Sequence, residues 1–97
     1  MPTLIHEQLH FDICEYFRRL FLQKIKETSF TPEVMPAVVK AIFRMVADQR
    51  KQMEKDYDRE TGSGQKSDMQ VKWKDKVQRL LSSTDVYAKH SISLKGN

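Results

Sequence analysis

Residues 3–28 read TLIHEQLHFDICEYFRRLFLQKIKET, and this stretch decides the fold. It contains no glycine or proline, it is rich in Leu, Phe, Ile, Glu, Lys and Arg, and Thr3 can cap its start, so it reads as one long helix. At about 100° per residue, its apolar centre runs through His6, His10, Ile13, Phe17, Leu20 and Phe21, with Leu9 and Cys14 at the flanks. Phe11, Leu22 and Ile25 widen the arc beyond what a surface helix in a three-helix unit has to bury. The excess predicts that something else covers that side, either a further layer of structure or a second copy of the chain.

Downstream, Ser29–Thr31 break the pattern and Pro32 opens a second helix that runs to Tyr57, with Pro36 able to delay its regular part. Its stripe is Met35, Val38, Val39, Ile42, Val46, Gln49, Met53 and Tyr57; Lys40, Arg44, Arg50, Lys51 and Lys55 form a solvated opposite face. Residues 58–66, DRETGSGQK, hold two of the three glycines and read as a loop. Ser67 with Asp68 can then cap a third helix to Leu81, striped by Met69, Trp73, Val77, Leu80 and Leu81. The expected fold is all-α, with helices over 3–28, 32–57 and 67–81 and Phe17, Ile42, Val46, Trp73 and Val77 in the core. Residues 1–81 form the domain, and 82–97 are a tail that shows little periodicity.

Composition agrees. The chain has 97 residues, 39% apolar and 31% charged, which allows one core and excludes a two-domain enzyme or a disordered chain. Three Gly and three Pro are too few for the turns of an all-β domain. The net charge of +4 is spread along the chain, with no basic stripe interleaved with aromatics, so no nucleic-acid partner is expected. Cys14 is a single cysteine and can form no intramolecular disulfide. No run approaches the ~18 apolar residues of a spanning helix, and the N-terminus shows no signal-peptide pattern, so no membrane partner is expected.

The chemistry-bearing motif is His6-Glu7-Gln8-Leu9-His10, an HExxH sequence on the first helix. The i, i+4 spacing sets two imidazoles one turn apart on one face, able to grip one zinc ion. Glu7, about a third of a turn away, can take a proton from a zinc-bound water. A catalytic zinc also needs a third protein ligand and an open position, which HExxH alone does not supply. Two histidines on an apolar stripe can equally be half-buried packing residues.

Two further blocks extend the motif. HEQLHFDICEYFRRLF is followed by YDRETGSG from Tyr57 and by QVKWKDKVQRLL from Gln70. In order and spacing, from His6 to Leu81, this resembles a bacterial family of uncharacterised proteins taken to be secreted zinc-dependent proteases, with the pattern HEQGHFDIxE, YDxETxHG, then a Q-x-x-W helix. The resemblance implies a zincin-like metallopeptidase acting on a peptide or protein substrate, secreted or periplasmic, with zinc held by His6 and His10 and Glu7 as general base. It also implies that Tyr57, Asp58, Glu60 and Thr61 return a further ligand or orienting group, and that Gln70 and Trp73 belong to the last block, Trp73 as packing. This sequence departs from the pattern at two positions: Leu9 stands for the glycine and is expected to crowd the helix surface near the metal, and Ser63 stands for the histidine of the ETxHG turn.

A serine hydroxyl is a poor zinc ligand, so the third ligand is sought elsewhere. Glu60 is taken for that role; Asp58 is an alternative, as is His90 swinging back from the tail, while Cys14 reads as packing. Zincin-type domains place a sheet before the HExxH helix, and only five residues precede His6 here. The three-helix unit is therefore expected either to be the helical part of such an α+β domain or to self-associate. With Ser63 and the short N-terminus, at most weak zinc binding and little peptidase activity are expected, and Ser63→His is expected to tighten the metal. The alternative reading is a catalytically inactive helical interaction module that forms homo-oligomers.

Overall fold

The computed structural model describes residues 2–88. Three helices, α1 (Pro2–Glu27), α2 (Met35–Thr61) and α3 (Ser67–Ser83), are followed by a 3₁₀ turn at Asp85–Tyr87. Among the described residues there is no strand, and no helix is long and apolar enough to cross a membrane. The fold is all-α, and His90 with the rest of the tail beyond Ala88 lies outside the described residues.

α1 begins at Pro2, where a missing N–H costs nothing because the first-turn amides are unpaired in any helix. Thr3 lies inside the helix rather than capping it. Lys24 and Lys26 sit in the last turn beside the negative end of the helix dipole, and the Thr28 hydroxyl donates to the Lys24 carbonyl at 2.6 Å. α2 starts three residues later than Pro32. Residues 32–34 form a turn, closed by the Val34 N–H to Thr31 carbonyl bond of 3.2 Å, and Pro36 falls in the first turn of the regular helix. α3 opens at Ser67 itself, after an extended Lys66 and with no side-chain cap.

The expected loop over 58–66 is shorter than the sequence reading placed it. Asp58, Arg59, Glu60 and Thr61 are all compatible with helix, so α2 continues to the first residue that stops it, Gly62 at φ +57°. Gly62 N–H bonds to the Arg59 carbonyl (3.3 Å) and Ser63 N–H to the Asp58 carbonyl (2.8 Å), the paired bonds of a Schellman stop. This extra turn places Asp58 and Glu60 on a helix, where their directions are set by its rotation.

α1 packs against both other helices. The core contains Leu9, Ile13 and Phe17 from α1, Val46 and Tyr57 from α2, and Trp73 and Val77 from α3, with Ile42 half-buried against it. Leu22 and Ile25, expected to need a cover from beyond the three-helix unit, are buried within the chain, so the open part of the α1 arc is reduced to its N-terminal half, where Leu4, Ile5 and Phe11 are exposed. Leu9 is buried in the core instead of crowding the surface beside the histidines.

Candidate metal centre

α1 delivers His6 and His10 on one face, with ring centroids 4.9 Å apart and planes nearly perpendicular. Opposite them, the i, i+3, i+4, i+7 spacing of Glu54, Tyr57, Asp58 and Thr61 forms a single stripe on the C-terminal half of α2. Tyr57 is fully buried, with its ring stacked on His6 at 4.4 Å, edge-on to His10 at 5.0 Å and tilted on Trp73 at 5.3 Å. It separates the histidines from the rest of the core. From α3, Gln70 reaches the inner side of His6.

The Nε2 atoms of both histidines converge on one oxygen. Asp58 Oδ1 lies 2.8 Å from His6 Nε2 and 2.8 Å from His10 Nε2, and ligand atoms from the three side chains lie within 4.8 Å of one another. The other ring nitrogens face acceptors: His6 Nδ1 is 3.2 Å from Gln70 Oε1, and His10 Nδ1 is 3.3 Å from Glu54 Oε1. Those acceptors call for a proton on each Nδ1, so a neutral ring presents the Nε2 lone pair toward Asp58. A carboxylate also has only lone pairs to offer. The trio is therefore held together by positive charge, either a proton on each Nε2 or a cation shared among all three atoms.

A bound zinc ion holds its ligands at about 2.0–2.2 Å, which spreads them somewhat further than the hydrogen-bonded 2.8 Å here. The Asp58 side chain is 47% exposed and free to draw back, whereas His6, at 7%, is held in place. The donor set of two imidazoles and one carboxylate, each imidazole backed by an acceptor, suits zinc. Burial pushes the Asp58 carboxyl up, but the hydrogen bonds and charges of His10 and His6 together outweigh it and hold the carboxyl below its ordinary range.

His6 and His10 thus come together as expected, and the carboxylate that meets them is Asp58. Glu60 sits about 200° further round the same helix, since each residue turns the helix by roughly 100°. Its Oε1 accepts the Trp73 indole N–H at 3.1 Å, tying α2 to α3. Glu7 is exposed on the turn that carries His6. Burial first, and then the charges of Asp58, Glu7 and Asp12, push the Tyr57 phenol up against the opposing Gln70 hydrogen bond, so Tyr57 keeps its proton. Cys14 is exposed, and its thiol donates to Glu54 at 3.6 Å. Burial and the Glu54 charge push that thiol up, away from the thiolate a metal would need.

Ser63 is exposed, at φ +56°, and its backbone N–H bonds to the Asp58 carbonyl. Thr61 is fully buried; its hydroxyl donates to the Tyr57 carbonyl at 2.6 Å and accepts the Gly64 N–H at 3.3 Å. Gly64, at φ +94°, lays its backbone on His6, where a Cβ would fall 3.1 Å from His6 Cβ and 3.2 Å from Cγ. The sequence reading missed Glu54 and Gly64. The spacing of Glu54, Tyr57, Asp58 and Thr61 was the available signal for Glu54, hidden by ending the helix at Tyr57.

No family model, curated protein or solved structure matches the chain.

Proposed function

We propose that the chain is a zinc-binding, zincin-like hydrolase domain acting on peptide bonds, with His6, His10 and Asp58 as metal ligands and Glu7 as general base. The observation that carries this reading is the meeting of two Nε2 atoms and a carboxylate oxygen, with both Nδ1 atoms already engaged by acceptors. A zinc ion there would supply a Lewis acid and bring the pKa of its bound water toward 7.

The chain's own residues divide the remaining work. The Tyr57 ring, stacked on His6 and edge-on to His10, keeps water from the inner side of the histidines, and Glu54 and Gln70 hold the two rings in orientation. Glu7 is exposed on the turn that carries His6, and as general base its carboxylate would accept a proton from the nucleophilic water and return it to the leaving amine. Asp58 fills the ligand position for which Ser63 is unsuited.

Zinc titration with parallel peptide cleavage tests the proposal. One zinc per chain is expected, weakened at least tenfold by His10→Ala or Asp58→Asn, with Glu7→Gln retaining zinc and losing cleavage. A wild-type chain that takes up no zinc, or cleavage that survives Glu7→Gln, would overturn it. Leu4 and Phe11, exposed two turns apart on one face of α1, favour a second reading, an interaction module that pairs with a copy of itself through this face.

A further inference from the structure

The histidine pair is backed differently on its two sides. His10 Nδ1 faces a carboxylate, which can only accept. His6 Nδ1 faces the amide of Gln70, which has a donor end and an acceptor end, so the presented atom depends on how that amide is held. Three contacts hold it. The Tyr57 hydroxyl lies 3.0 Å from the His6 carbonyl, a pure acceptor, and gives it its only proton. The hydroxyl oxygen can then only accept, so the Gln70 end 2.6 Å away is the NH₂ group. The opposite end, 3.2 Å from His6 Nδ1, is therefore the carbonyl. Tyr57 and Gln70 are buried, as is His6, so the chain of bonds is closed within the protein.

We propose that Tyr57 and Gln70 are positioning residues that set the His6 tautomer. Through them the backbone carbonyl of His6 favours a proton on Nδ1 of its own ring, against Asp58 Oδ1, which lies 2.8 Å from Nε2 and competes for that proton until a cation takes its place. Neither side chain belongs to the His6, His10 and Asp58 trio. The inference rests on the zinc reading above, and it assigns a role to the Tyr57 hydroxyl that packing alone does not require.

Tyr57→Phe separates positioning from packing. In Tyr57→Phe the ring and its stacking stay, but nothing fixes the amide, which can turn its NH₂ toward His6 and favour the proton on Nε2. Zinc affinity is expected to fall by about tenfold to a hundredfold. Adding Gln70→Glu to Tyr57→Phe is expected to restore it, because a carboxylate accepts from Nδ1 however it is turned. Gln70→Leu, which removes the acceptor, is expected to lose as much as Tyr57→Phe.

Two measurements are needed: a competition titration with a chromophoric zinc chelator, and ¹⁵N chemical shifts of the His6 ring in metal-free Asp58→Ala protein at alkaline pH, where no carboxylate at Nε2 competes for the proton. Asp58→Ala is expected to carry the proton on Nδ1, and Asp58→Ala with Tyr57→Phe to show a mixture. A His6 protonated on Nε2 in Asp58→Ala overturns the inference. So does a Tyr57→Phe protein with unchanged zinc affinity, or a Tyr57→Phe, Gln70→Glu double variant that fails to recover. If Asp58→Ala shows the Nδ1 proton but wild type takes up no zinc, the positioning stands and the zinc reading falls.

Discussion

Asp58 and Glu60 are two residues apart and chemically almost alike, yet only Asp58 faces the histidines. Asp58→Ala is expected to weaken zinc by a hundredfold or so, whereas Glu60→Ala should leave zinc affinity unchanged and lower stability by about 1–3 kcal/mol, because the buried Trp73 N–H loses its acceptor. Titration and urea denaturation of the two variants check this pair of outcomes. Gly64→Ala combines an unfavourable φ with a Cβ pressed on His6, so it is expected to destabilise the fold by more than 1 kcal/mol and to weaken zinc binding. At this scale the sequence showed the histidine pair, because HExxH is local. It did not show which carboxylate completes the trio, since that choice depends on the helical register of residues beyond Tyr57.

The helices were legible because their apolar stripes run over many turns. Their ends were less so, being decided by one or two residues: Gly62 outweighs the polar run before it, and Pro36 makes the start at Pro32 a turn. A second tie lies far from the histidine pair. Arg18 bonds Glu15 at 2.8 Å and also donates to the carbonyls of Tyr87 (3.3 Å) and Ala88 (2.9 Å), joining α1 to the residues after α3. The Arg18 hydrogen bonds, aided by Arg19 and opposed by burial, bring the Glu15 carboxyl down to about 2 from an ordinary 4.5. Its folded pKa is depressed, so its contribution is complete above about pH 4.5 and is lost as the pH falls toward 2. Glu15 is a third exposed, so Glu15→Gln is expected to cost about 1 kcal/mol or less at neutral pH. Urea midpoints taken from pH 6 downward should show the gap to wild type closing through the acid range.

Over the described residues the molecule is long and thin, 49 × 22 × 17 Å, around one narrow core. Ile13 is fully buried at its middle, and Ile13→Ala is expected to cost about 2–5 kcal/mol, read as a fall in the denaturation midpoint. Self-association, expected from the wide arc of α1, now rests on Leu4, Ile5 and Phe11 alone, as Leu22 and Ile25 are covered within the chain. Light scattering at tens of micromolar is expected to show a dimer that Phe11→Glu weakens; a wild-type monomer would remove that reading.

His6 and Asp58 lie 52 positions apart in the chain. A cation shared between them would act as a reversible cross-link, fastening a ring of chain that includes nearly all of α1 and α2 and their connection. The link would be lost when the chain unfolds, so the metal's affinity for the folded form would become part of the folding free energy. Free zinc concentration would then set how readily the two helices part, and the same three side chains proposed for chemistry would also govern how the molecule opens.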